Sequence, residues 1–232
     1  MSHPTDPPID PSRRWTLTAS PSYIDARKSL FQAELTLRSQ IEHVAALRRA
    51  LPPGPFLPPY TFTEGPRDLS ASGPFTHPTL ADLASNGRSL VMYHMMFGPD
   101  DENVCPMCAM FVDGLEGAVG HLEERVNVVV CAAAPIEKVR EWAKRRGWGK
   151  LRFVSSAGSG FNRDMGTEDA GVSVFQGEEE GVRHLYMQKG DFGPGVERGL
   201  DLLCPVYNVF DLVPEGRGNW YAGNEYMMRS GV

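Results

Sequence analysis

Two apolar runs, "SLVMYHMMF" at residues 89–97 and "VNVVVCAAA" at 126–134, do most to limit what this chain can fold into. Each has the length of a strand and lacks the alternation of a sheet with one wet face, so each reads as a strand covered on both sides. Between them Phe111, Leu115, Ala118, Val119 and Leu122 recur at helical spacing. After the second run, "PIEKVREWAKRRG" has Pro in its first turn and Arg and Gly at its end, the signs of a helix. Strands joined through helices by short connections lie parallel, with the helices on the faces of the sheet.

The flanking segments extend this α/β pattern. "PYTFTEG" (59–65) reads as a short strand and "HPTLADLASNG" (77–87) as a short helix closed by glycine. "LRFVSSAGSGFNRDMGTEDAG" (151–171) begins as a short strand and is then mostly loop, while "VSVFQGEEEGVRHLYM" (172–187) reads as two strands joined by a Gly- and Glu-rich turn. "GVERGLDLL" (195–203) reads as a short helix, and "YNVFDLVPEGRG" (207–218) as a strand running into coil. A βαβ half, a hairpin and a final helix form the chain order of a thioredoxin fold. The sequence therefore predicts a thioredoxin-like domain over residues 59–218, a mixed central sheet flanked by helices.

Ahead of that domain, residues 1–20 are rich in Pro, Ser and Asp and read as a disordered tail without the apolar core of a secretory signal. Ser20 followed by Pro21 signals a helix start. Ala26, Leu30, Ala33, Leu37, Ile41, Val44, Leu47 and Leu51 then recur at three- and four-residue steps until the prolines of "LPPGPFLPP". Residues 21–58 thus read as a helical extension with Arg27, Lys28, Glu34, Arg38, Glu42 and Arg48 off the apolar stripe. The stripe calls for a covering surface, either the main domain or a second copy of the chain in a homodimer. Residues 219–232 read as a carboxy-terminal tail.

Composition removes several classes of function. With 23 Lys and Arg against 29 Asp and Glu, and no basic stretch interleaved with aromatics, the chain lacks a nucleic-acid surface. It also lacks the ~18 uninterrupted apolar residues that span a bilayer. Four cysteines in 232 residues are too few for a secreted disulfide framework, so a reducing, cytoplasmic setting is expected.

In that setting the pair in "NVCPMCAM" carries the chemistry. Pro106 takes the first helical position, which puts Cys105 at the N-cap and Cys108 one turn inside. Unpaired amides and the positive end of the helix dipole stabilise a thiolate at Cys105, which makes it the attacking thiol, and Cys108 resolves the mixed disulfide from the buried side. The acidic "DDE" at 100–102 works against that thiolate.

A soft-metal site is the alternative use of the same thiols. Met92, Met95, Met96, Met107 and Met110 surround them, and thioether with thiolate suits Cu(I). His184, on the second hairpin strand, is expected to approach the cysteines and complete such a site, with His94 a lesser candidate and a core histidine in the simpler reading. His121 lies too far along the helix, roughly 24 Å from Cys105. Cys131 reads as a small buried hydrophobe, Cys204 as semi-buried, and Arg163 with Asp164 as a loop-ordering ion pair. No phosphate loop or other cofactor fingerprint is present, so no cofactor is expected apart from copper in the alternative.

"YHMMFGPDDENVCPMCAMFVDGLEGAVGHLEER", "VSSAGSGFNRD" and "RGLDLL…YNVFDLVPEGRG" resemble the thioredoxin-like domain-of-unknown-function family 899, as does the long helix ending near "RRALP". The resemblance spans roughly residues 22–218, implies a thioredoxin-like fold, and maps the family's cysteine positions onto Cys105 and Cys108. Around the pair, "NV" replaces the aromatic residue that precedes the first thiol of thioredoxins, Gly171 stands where thioredoxins place a proline, and Glu102 stands where peroxiredoxins carry a threonine. The expected function is a thiol-dependent oxidoreductase acting on small-molecule or protein disulfides. The alternatives are a copper carrier or copper enzyme, and a non-catalytic binding module.

Overall fold

The computed structural model describes residues 15–190 and 203–224. Most of the amino-terminal tail, the helix expected in "GVERGLDLL" and the end of the carboxy-terminal tail lie outside the described residues. The chain divides into two units, Met1–Pro52 and Pro53–Val232.

In the first unit α1 runs from Pro21 to Arg49. The Ser20 hydroxyl accepts from the Tyr23 amide at 3.2 Å, satisfying one of the orphan donors of the first turn. Arg48 and Arg49 sit favourably at the negative end of the dipole. Arg27 pairs with Glu34 at 3.0 Å. The apolar stripe is open: Leu30, Leu37, Ile41, Val44 and Leu47 are all exposed.

In the second unit the elements are β1 (Phe56–Leu57), β2 (Thr63–Glu64), α2 (Leu80–Leu83), β3 (Leu90–Met95), α3 (Pro106–Leu122), β4 (Asn127–Ala132) and α4 (Ile136–Arg146). They continue as β5 (Phe153–Ser155), α5 (Phe161–Met165), β6 (Gly171–Glu178), β7 (Gly181–Lys189) and α6 (Pro205–Phe210). One seven-stranded sheet has the order β1-β7-β6-β3-β4-β5-β2. β3, β4 and β5 are parallel, whereas β6 is antiparallel to both β3 and β7. The central run β7-β6-β3-β4, entered through β3-α3-β4 and left through the β6–β7 hairpin, is the thioredoxin fold. Among the described residues no helix is long and apolar enough to cross a membrane.

The continuous apolar runs are explained by two cores, one on each face. Tyr93 and Met95 of β3 and Val128 and Val130 of β4 join Cys108, Phe111, Val112 and Trp142 of α3 and α4. Leu90, Met92, Val129 and Cys131 point the other way, to Leu80, Leu83, Phe161 and Phe175. Alternation along each strand therefore meets apolar surface on both sides.

Three elements differ from the sequence-based expectation. Phe56–Leu57 pairs with Arg183 and Val182 of β7, so the sheet begins inside the proline-rich stretch assigned to the helical extension. The loop after β5 contains the short helix α5, ended by Gly166 at φ 59°. The "YNVF" segment is helical rather than extended: Pro205 opens α6, having no amide to give a sheet ladder, and Tyr207 is buried. The tail also folds back, since the Asn224 side chain donates to the Val104 carbonyl at 3.0 Å.

Candidate active site

The site is built on the turn from β3 into α3. The Asp101 carboxylate accepts from the Gly98 amide at 2.7 Å, Lys138 of α4 donates to the Pro99 carbonyl at 2.8 Å, and Ala134 donates to the Phe97 carbonyl at 2.8 Å. Val104, 1 % exposed, seats the end of the turn in the core. Residues 97–104 are thus fixed at both ends of the loop, and the second acid of the "DDE" run, Asp101, is occupied by a backbone amide.

Met96 ties this turn to both thiols. Its carbonyl accepts from the Cys105 amide at 3.3 Å, and its amide donates to Cys108 Sγ at 3.4 Å. Cys105 is the N-cap of α3 and is partly exposed, while Cys108 is buried one turn deeper. The Cys105 side chain makes no capping hydrogen bond. As a thiolate it is stabilised first by the Cys108 S–H and then by the amides of Cys108 and Met107, and these outweigh burial to bring its pKa down to about 6. Cys108 shifts strongly the other way, because its proton is held by Cys105 and its environment is apolar. The pair is therefore split into a readily ionised outer thiol and a reluctant inner one. None of the four cysteines is in a disulfide.

The surroundings contain groups that motif reading missed. Tyr93 is buried against Phe111, with ring centres 4.4 Å apart, in the same core cluster as Cys108. Strand alternation was the available signal, since residue 93 shares the α3-facing side of β3 with Met95. Cys204 is buried at 3 % exposure in the same cluster, rather than semi-buried. Tyr207 of α6 donates to Met107 Sδ at 3.5 Å.

The histidines do not join the thiols. His94 faces the opposite side of β3 from Tyr93, with Nε2 2.7 Å from Ser173 Oγ and its ring 5.8 Å from Phe161. His184 pairs with Phe175 in the hairpin, and their rings are 5.5 Å apart in that same second core. The expectation that His184 approaches the cysteines is corrected by this parity, because the sheet lies between them. The methionines divide likewise: Met92 belongs to the second core, Met95 to the thiol-facing core, and Met96 is 36 % exposed. Among the described residues no three His, Cys, Asp or Glu side chains are grouped to hold a metal ion. Arg163 pairs with Asp164 at 3.0 Å, and Asp164 also accepts from the Tyr60 hydroxyl at 3.1 Å.

Strand order and a C-x-x-C at the start of α3 define a thioredoxin-fold protein with a paired-thiol site. The chain belongs to the bacterial protein family of unknown function DUF899, whose profile matches residues 13–230. No curated protein matches it. Among solved structures it is similar to the Plasmodium falciparum antioxidant protein, a 1-Cys peroxiredoxin, at 14 % identity over 61 % of this chain and 86 % of that one, with a TM-score of 0.47. Peroxidoxin BcpB from Mycobacterium tuberculosis matches at 12 % identity over 68 % and 96 %, with a TM-score of 0.44. Reduced Prx3 from Vibrio vulnificus, in complex with H2O2, matches at 12 % identity over 59 % and 86 %, with a TM-score of 0.45. The strand order, and not these distant likenesses, is what identifies the fold.

Proposed function

We propose that the protein is a thiol-disulfide oxidoreductase in which Cys105 is the nucleophile and Cys108 the resolving thiol. The observation that carries this reading is the placement of the pair, with Cys105 partly exposed at the N-cap of α3 and Cys108 buried one turn deeper with its Sγ accepting from the Met96 amide at 3.4 Å; the opposite directions of the two thiol shifts agree with it. The Cys105 thiolate attacks one sulfur of a substrate disulfide, forming a Cys105–substrate bond and releasing the other half as a thiolate. Cys108 then loses its proton and attacks Cys105 Sγ, which forms the Cys105–Cys108 disulfide and releases the second half. The substrate gains two electrons and the dithiol loses two, so a second turnover draws on a low-molecular-weight thiol. The substrate class is a small-molecule or protein disulfide, and a reducing compartment such as the cytoplasm suits the cycle. The copper alternative retains the two thiols and nearby thioethers, without the histidines that were expected to complete it.

Iodoacetamide alkylation of Cys108→Ser and Cys105→Ser variants across pH 5–10 tests the assignment. Cys105 should react with an inflection near pH 6 and Cys108 only at high pH. Equal reactivity of the two thiols, titrating as free cysteine does, would sink it. Metal analysis of the purified chain, alongside the count of alkylated thiols, separates the copper reading.

A further inference from the structure

A part of the chain outside the thioredoxin frame lies against the thiol helix. Pro205, at the start of α6, packs on Gly114 of α3, where a Cβ would already touch its Cδ at 3.5 Å. Two further contacts bracket Cys105 itself. The Tyr207 hydroxyl donates to Met107 Sδ at 3.5 Å, two residues after the thiol, and the Asn224 side chain donates to the Val104 carbonyl at 3.0 Å, one residue before it. Between these anchors the Trp220 ring stands T-shaped to Phe210 at 4.9 Å and to Tyr207 at 6.3 Å, and Arg217 lies over the Tyr207 ring at 5.4 Å. Residues 205–224 therefore form a wall beside the partly exposed sulfur.

The wall is aromatic and open to water. Trp220 is 38 % exposed and Tyr221 65 %, and Val209, Leu212 and Val213 of the same segment are exposed as well. Rings held in place by their neighbours yet left in solvent, next to a reacting sulfur, mark a contact surface. In the loop that leads into Cys105, Asp100 and Glu102 are exposed carboxylates. They oppose an anionic small disulfide such as oxidised glutathione and attract a cationic one.

We propose that this wall selects the substrate: Trp220 and Tyr221 receive an apolar side chain next to the substrate's cysteine while Asp100 and Glu102 favour a basic one, so that the disulfide attacked by Cys105 is carried by a polypeptide with apolar and basic residues around it. This rests on the oxidoreductase reading above and names its substrate class. The two-electron exchange is the one already written: a Cys105–peptide bond forms, the peptide S–S bond breaks, and Cys108 completes the reduction. The wall contributes by holding the peptide in reach of Cys105 before the attack.

The test uses the reduced full chain and two synthetic peptides, each a symmetric disulfide dimer, one with Phe and Lys beside its cysteine and the other with Ser and Glu. Each rate is divided by that of the same peptide with dithiothreitol, which removes intrinsic reactivity. The Phe/Lys peptide should then be reduced about tenfold faster than the Ser/Glu peptide, the size expected from partial burial of one aromatic ring. In Trp220→Ser the ratio should fall to about threefold, and in Glu102→Gln it should depend less on salt than in wild type. A ratio unchanged in both Trp220→Ser and Tyr221→Ser overturns the proposal, since a disturbed fold slows both peptides together. Equal corrected rates in wild type, or reduction of hydroxyethyl disulfide with neither peptide reduced, overturns this proposal and leaves the oxidoreductase reading standing. Wild type that reduces none of the three overturns both.

Discussion

Met96 and Cys108 are joined by a backbone amide that points at a sulfur, 3.4 Å from N to Sγ, while the carbonyl of the same residue holds the Cys105 amide. One residue at the end of β3 thus sets the position of both thiols, and the properties of each thiol follow from the other.

The Cys108 side chain is the largest influence on Cys105, so its removal should be visible at Cys105. In Cys108→Ala the alkylation inflection of Cys105 should rise from about 6 toward the free-thiol range, because the S–H donor is lost and the two amides remain. Cys108→Ser keeps a donor and should move it less. An inflection identical in all three proteins would show that the helix start acts alone.

His94 and His184 predict an acid limb in stability. Burial lowers both, His94 to about 3, with His184 adding repulsion. A folded-state pKa below the unfolded value means that stability is complete above pH ~6.5 and is lost as pH falls toward 3, to an extent on the order of 4 kcal/mol for His94. His94→Gln should flatten that limb when unfolding midpoints in urea are compared between pH 7 and 4. A limb unchanged in the variant would assign it to carboxylates instead.

Arg140, 7 % exposed, donates to the carbonyl of Pro66, and through Nη2 to those of Asp68 at 2.9 Å and Ala71 at 2.8 Å. Arg140→Ala leaves three acceptors without their donor and should cost about 3 kcal/mol in urea unfolding. Arg140→Lys should recover less than half of that, since an ammonium lacks the planar fork. A loss below about 1 kcal/mol for alanine would mean that water replaces the guanidinium.

The open stripe of α1 has a seven-residue rhythm, with Tyr23, Leu30, Leu37 and Val44 in one series, continued by Leu51 just past the helix end, and Ala26, Ala33, Gln40 and Leu47 interleaved. A repeat averaging 3.5 residues suits a second helix of the same kind. The chain is expected to sediment as a dimer, and Leu30→Glu with Leu37→Glu to give a monomer with unaltered Cys105 reactivity. A monomeric wild type at tens of micromolar would mean that the stripe is covered within one chain.

The βαβ core and the place of the thiols were legible because they rest on local signals: apolar strand runs, a proline at a helix start, and glycine at the α4 end, where Gly147 adopts φ 77°. What was not legible depends on side-chain parity and long-range closure. His184 was expected near the thiols because its strand lies in the right sheet, but a period of two decides which face a residue serves. β1, two residues inside a proline-rich stretch, is too short to carry a pattern of its own, whereas β2 falls within the strand expected at "PYTFTEG". The "YNVF" helix followed Pro205 against the β-branched and aromatic residues that suggested a strand.

β1 and β2 come from a single stretch, residues 56–64, yet lie at opposite ends of the sheet order, β1 against β7 and β2 against β5. The segment leading into the core thus acts as two stoppers, each ending the ladder with a strand too short to recruit another. Proteolysis or truncation within it would free the nine-residue β7 as a pairing edge, so the first failure of a trimmed core should be polymerisation through that edge rather than loss of the thiol site.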